Sequence, residues 1–239
     1  MLSLILPAYN EARRLPASLA RCAEFFGDRG VAAEIIVVDD GSSDDTGHAF
    51  QRSVDALATT GLTFRLQRID HAGKGAAVRS GAALAQGDPI VFLDADLTIP
   101  VEIVDDLCRA IDEGADIAIA SRYVRGSRVF RPWWRIVMGF VYRAFVRVLV
   151  PTGVQDTQCG GKAYTYEAAK ALFPRLRIDG FAFDAELLFL ARKRGLRVAE
   201  VPFVLRQPRG TSIDFLEDAP RMVADLIRIR VNALRGRYR

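Results

Sequence analysis

Five short, mostly apolar runs divide the first half of this chain, and a stretch of helical periodicity separates each from the next. Residues 2–6, 34–38, 63–69, 90–93 and 116–120 read as strands. Helices are predicted over 10–26, from the Ser/Asp-rich turn at 42–46 to about residue 59, from the turn at 73–75 to near Gly87, and over 101–113. Alternation at this spacing predicts βαβ units with right-handed crossovers. The expected fold class is therefore α/β, with a single Rossmann-like, mostly parallel sheet flanked by helices. The run Ile90-Val91-Phe92-Leu93, apolar throughout, suits a central strand covered on both faces.

That run leads into Asp94-Ala95-Asp96. Open α/β sheets bind ligands at the carboxyl ends of their strands, where the crevice opens. If extended geometry continues, Asp94 and Asp96 point the same way and can hold a divalent cation whose shell phosphate oxygens complete. The alternative is that they only cap a helix beginning near Pro100. Asp39 and Asp40 end the second strand, and Asp156 lies in a polar loop predicted over 153–162. Lys74, in its glycine turn, and Arg122, after the fifth strand, are suited to neutralising a diphosphate. The same turn lacks the spacing and the following Ser/Thr of a P-loop, which argues against ATP hydrolysis.

After Arg122 the pattern changes. Residues 121–150 contain seven arginines and no acid, and the last twenty residues hold six more against one aspartate. A helix over 133–150 would carry Arg135, Arg143 and Arg147, with Arg131, on one side and Trp, Ile, Val, Phe and Leu on the other. Such a helix either lies in a membrane interface or packs its apolar side on the protein's own core. The tail from Pro220 repeats the pattern. A short helix is predicted over 166–172, another over 181–193 with Asp184 and Glu186, and a last strand over 198–205. No linker marks a boundary, so 1–239 reads as one domain with halves 1–122 and 123–239. Half of the residues are hydrophobic, which excludes disorder. Three scattered cysteines and two distant histidines suggest reduced thiols and no zinc site. No uncharged apolar run approaches the length of a membrane span and residues 2–6 are too short for a signal peptide. The expected location is cytoplasmic, peripherally attached to a membrane face.

Pro7-Ala8-Tyr9-Asn10-Glu11, Val37-Val38-Asp39-Asp40-Gly41-Ser42, Gly73-Lys74-Gly75 and Asp94-Ala95-Asp96 closely resemble the motifs of family 2 glycosyltransferases of GT-A fold. Ala120-Ser121-Arg122-Tyr123, Asp156-Thr157-Gln158-Cys159-Gly160 and Phe183-Asp184-Ala185-Glu186-Leu187 look like the dolichyl- or polyprenyl-phosphate branch, the β-glucosyltransferases before the mannose synthases. The resemblance implies a metal-dependent inverting transferase that moves a hexose, glucose from UDP-glucose first, onto a polyprenyl or dolichyl phosphate. It implies that Pro7, Ala8, Tyr9, Glu11 and Asp39 hold base and ribose, with Lys74, Asp94 and Ala95 also on the nucleotide sugar. Asp94 and Asp96 would ligate Mg²⁺ or Mn²⁺. Arg122 would face a phosphate, Asp156 would match the catalytic base, and Gln158, Arg209 and Ser212 would lie on the acceptor side. Gly161 departs from the pattern, standing where a larger residue is expected. A dianionic acceptor phosphate needs no strong base, so Asp156 is expected to orient groups at least as much as to take a proton. The expected partners are the nucleotide sugar, the lipid phosphate, a membrane surface, and a second copy or a membrane protein. The rivals are GDP-mannose as donor, a non-lipid acceptor, and a nucleotide-sugar-binding protein without turnover. Nucleic acid is not expected, since the arginine blocks carry no recognisable binding motif.

Overall fold

The computed structural model describes residues 1–58, 61–130, 132–205 and 215–238, with residues 215–217 described for their backbone only. Arg131, Arg209 and Ser212 lie outside the described residues. A seven-stranded sheet organises the molecule, in the order β3 (Thr63–Ile69), β2 (Ala33–Asp40), β1 (Leu2–Ala8), β4 (Ile90–Leu93), β7 (Gly161–Tyr164), β5 (Ile117–Ser121) and β8 (Val198–Pro202). All neighbours are parallel except β7, which runs antiparallel between β4 and β5. The switch of order at β1 and β4 opens a crevice at the strands' carboxyl ends.

Alternation along β4 shows why an unbroken apolar run belongs there. Ile90 and Phe92 enter the core on one face, with α3 (Lys74–Leu84), α6 (Tyr166–Leu172) and α7 (Phe183–Lys193). Val91 and Leu93 enter the core on the other, with α1 (Leu15–Arg29) and α4 (Ile103–Asp112). α2 (Thr46–Ala56) packs beside α1. Both faces of the strand are buried, so a polar residue anywhere in it would lose its water without a partner.

Four sequence expectations change. Residues 161 and 162, expected at the end of the polar loop, belong to β7, which spans Gly161–Tyr164. Gly161-Lys162-Ala163-Tyr164 is too weak an apolar pattern to reveal a strand, and β7 exists because β4 and β5 flank it. The predicted strand over 198–205 breaks after Pro202, and β9 (Val204–Leu205) pairs instead with β6 (Arg128–Val129). α1 starts at Leu15 and not at Asn10, whose φ of 55° is left-handed. Asn10 turns the chain because its side chain accepts the Ser43 and Asp44 amides, at 2.9 and 3.3 Å. The aspartate pair does not continue the extended strand either. Leu97 N–H donates to the Asp94 carbonyl at 2.9 Å, and Leu97 has a φ of 46°.

Two helices from the second half remain. α5 (Trp133–Leu149) and α8 (Phe215–Leu234) pack on one another beside the crevice. Val146 is the one fully buried residue of α5. Only part of its apolar surface packs on the core, at Tyr142, Val146 and Leu149, while Trp133, Phe140 and Val148 are 76, 63 and 79% exposed. Among the described residues no helix is long and apolar enough to cross a membrane.

Candidate functional site

The carboxyl ends of β1, β2 and β4 meet the 71–74 turn around a cleft of about 600 Å³. Pro7, Ala8, Tyr9, Glu11, Lys74, Asp94, Ala95, Asp96, Arg122 and Gln158 all line it. Asp39 does not. It lies beneath, fully buried, accepting the Ser42 amide at 2.9 Å with Arg68 Nε 3.7 Å away. Asp40 lines the cleft in its place and grips the next turn, accepting the Ala72 and Gly73 amides at 2.8 and 2.9 Å. Tyr9 stacks on His71 with ring centroids 4.3 Å apart, so the rim presents an aromatic surface that suits a nucleobase.

The 9–12 turn is joined to the 42–46 turn by its amides. Asn10 N–H donates to Ser42 Oγ, Glu11 N–H to Thr46 Oγ1 and Ala12 N–H to Asp44 Oδ2, at 2.9–3.1 Å. This explains the polar string after β2: its hydroxyls and carboxylates satisfy backbone groups that a sharp exit from β1 leaves without partners. Burial raises the Glu11 carboxyl above its usual value, Arg14 opposes that, and Asp96 and Asp44 add to the rise.

Asp94 and Asp96 sit on the turn after β4. Asp96 Oδ1 accepts the Thr98 amide at 2.9 Å, and Arg14 lies 3.8 Å from its other oxygen. Asp94 Oδ1 lies 2.5 Å from Lys74 Nζ. Neither acid caps α4, whose cap residue is Glu102. The Asp94 carboxylate rests against the backbone of Gly160, where any Cβ would overlap it. Desolvation would lower the Lys74 ammonium, but Asp94 and then Asp184 outweigh it and keep the group charged.

Among the described residues no three His, Cys, Asp or Glu side chains gather as a metal site. Two carboxylates facing one cleft, one of them cradled where a side chain is excluded, still suit a hard cation that takes its other oxygens from phosphate and water. The residues present fit such an ion.

Arg122 and Asp156 find each other. Arg122 Nε and Nη2 donate to the two Asp156 oxygens, both at 2.7 Å, and the Arg122 amide donates to Oδ2 at 2.9 Å. Burial works against the ionised acid, but the Arg122 charge and these hydrogen bonds hold its carboxyl below the usual value. Beside the pair a narrower groove of about 240 Å³ runs between α5 and α8. Arg135 Nε, Tyr142 Oη, Arg143 Nε, Thr157 Oγ1 and Gln158 Nε2 are buried on this groove with no hydrogen-bond partner among the described residues. Five such atoms in one place mark a site for a polar ligand. Arg143 also covers the Tyr123 ring at 3.7 Å. Arg135 and Arg143 therefore turn inward, while Trp133, Phe140 and Val148 face out. Helical periodicity placed them on one side of α5 but not toward the cleft. Gly161, the departure noted in the sequence, is boxed at 3.4 Å by Ala120, Ile99 and Leu93, so a larger side chain would displace its neighbours.

Comparison with known proteins adds four findings. The model of glycosyl transferase family 2 matches residues 3–173. Dolichyl-phosphate beta-glucosyltransferase of Dictyostelium discoideum is 32% identical over 248 aligned positions, covering 98% of this chain and 75% of the relative. The crystal structure of glucosyl-3-phosphoglycerate synthase from Mycobacterium tuberculosis in complex with UDP superposes with a TM-score of 0.71 at 25% identity, covering 97% of this chain and 80% of that one. The same synthase in complex with Mn²⁺, UDP and phosphoglyceric acid, at 24% identity and a TM-score of 0.68, shares the fold and covers 100% of this chain and 78% of that one.

Proposed function

The chain belongs to glycosyl transferase family 2, and from that premise we propose that it moves glucose from UDP-glucose onto the phosphate of a polyprenyl lipid at a membrane surface. One observation carries the reading. The acid-and-lysine end of the cleft joins, at Arg122, an apolar groove with unpartnered polar atoms that lies beside the exposed apolar face of α5. A water-soluble acceptor could use the polar atoms, but it has no use for the apolar lining of that groove or for the exposed apolar face of α5. The relative's name supports the lipid phosphate, and the UDP complex of a structural neighbour supports the uridine donor.

In this reading Pro7, Ala8, Tyr9 and Glu11 hold the nucleoside, and Asp39 braces the turn behind it. Asp94 and Asp96 hold Mg²⁺ or Mn²⁺, whose charge, when bound, offsets that of the leaving diphosphate. Lys74 adds a second positive charge. Arg122, Arg135, Arg143 and Gln158 receive the acceptor phosphate at the polar part of the groove between α5 and α8, and its apolar wall, with Met138, Val141 and Phe145, takes the first isoprene units. One phosphate oxygen then attacks the anomeric carbon as the bond to the departing UDP breaks on the opposite side, inverting the centre. The acceptor's second pKa near 6 leaves it mostly dianionic at pH 7, so it attacks without a strong base. Asp156, with both oxygens on Arg122, serves by fixing that guanidinium. Trp133 and Phe140 face the acyl boundary, where the substrate's phosphate resides.

Incubation with UDP-glucose, Mn²⁺ and a short polyprenyl phosphate in vesicles is expected to yield lipid-linked glucose. A product formed only from GDP-mannose would overturn the donor, and turnover only with a soluble phosphorylated acceptor would overturn the lipid.

A further inference from the structure

Lys162 has no exposed surface, and Asp184, at 3%, has almost none. Lys162 Nζ lies 2.7 Å from Asp184 Oδ1 and donates to the Cys159 carbonyl at 2.6 Å. An ion pair in a dry interior gives up the hydration of both charges, and an apolar pair of the same volume is often as stable or more so. Packing alone therefore does not account for a lysine in the middle of β7.

What the pair touches does account for it. The Cys159 carbonyl is one peptide from Gly160, the residue whose backbone supports the Asp94 carboxylate. Lys162 pairs with Phe92 across the β4–β7 ladder, two residues before Asp94. The Lys162 and Lys74 ammoniums both lie near the Phe92 ring, at 5.1 and 5.6 Å from its centroid. Asp184, at the start of α7, lines the cleft, and its charge acts on Lys74 as well as on Lys162. From the interior outward the charges thus alternate as Lys162, Asp184, Lys74, Asp94.

Taking Asp94 and Lys74 as donor-diphosphate residues, on which this rests, we propose that Lys162 and Asp184 are positioning residues. Their buried ion pair clamps the Cys159–Gly160 turn against Asp94 and sets where Lys74 stands. Lys162 is sealed from the cleft and Asp184 exposes almost nothing to it, so both act through Lys74, Asp94 and the Gly160 turn.

The test separates position from stability. Lys162→Met alone strands a buried carboxylate and lowers the melting temperature. The double variant Lys162→Met/Asp184→Asn removes both charges with little change of volume, and it is the decisive protein. It is expected to melt close to wild type yet to bind UDP in the presence of Mn²⁺ at least tenfold more weakly by calorimetry, without turnover being needed. A dissociation constant within twofold of wild type would overturn the proposal, whatever the melting temperature does. If wild type itself binds no UDP with Mn²⁺, the donor-site reading fails first, and the two failures are told apart.

Discussion

Gly160 shows how little room the residues around Asp94 have. A methyl group there would overlap the carboxylate, so Gly160→Ala must turn Asp94 or shift the loop. Calorimetry with UDP and Mn²⁺ should register at least a tenfold loss of affinity, alongside about 1–3 kcal/mol of destabilisation from overpacking. Arg122 and Asp156 are a second case. Asp156→Asn leaves a guanidinium without its counter-ion, and denaturant melts should show a loss of roughly 3 kcal/mol. Burial opposes the Asp156 charge, yet Arg122 outweighs it and holds the carboxyl below the ordinary 3.8. Its stabilisation is therefore complete above pH 3.8 and disappears as pH falls through the lower folded value. Acid melts of wild type and Asp156→Asn should converge in that range, and a gap that persists there would refute the assignment. Asp94, Asp96, Lys74 and Arg122 could be read from residue type and position at strand ends. The Arg122–Asp156 and Lys162–Asp184 pairs could not, since each joins residues more than twenty apart.

Among the elements, α5 departs most from a soluble helix. Its periodicity predicted two faces but could not orient them, because an apolar side opposite a basic one suits a protein core as well as a lipid surface. The folded chain turns Arg135 and Arg143 toward the groove and leaves Trp133, Ile136, Val137 and Phe140 outside. Trp133→Ser/Phe140→Ser should weaken binding to anionic vesicles at least tenfold in sedimentation, while thermal stability moves by no more than about 0.5 kcal/mol, since both side chains are exposed. A large stability loss with unchanged vesicle binding would mean that this face packs on protein. β7 is the opposite case, an element with almost no local signature. Gly161, Lys162 and Ala163 become a strand only because β4 and β5 offer ladders on both sides.

Over the whole molecule, residues before and after Arg122 interlock. β7 lies between β4 and β5, and the Gly75 and Ala76 amides at the start of α3 donate to the Asp179 carbonyl at 2.7 and 3.2 Å. At Gly75 a Cβ would lie 2.6 Å from that of Phe183 and 2.7 Å from the Ile178 carbonyl, so the Lys74 turn meets the start of α7 and the backbone before it with no room for a side chain. A fragment ending at Arg122 should therefore fail to fold, with no sigmoidal melt by circular dichroism, while the full chain melts in one transition. An independently folded fragment would contradict this. The strand–helix alternation and the apolar run of β4 were settled by local chemistry, because burial on two faces permits nothing else there. Also local was the identity of the charged groups at the strand ends. Their partners, the place of β7 and the outward turn of α5 were decided only by tertiary packing, since each depends on which distant backbone or charge arrives beside it.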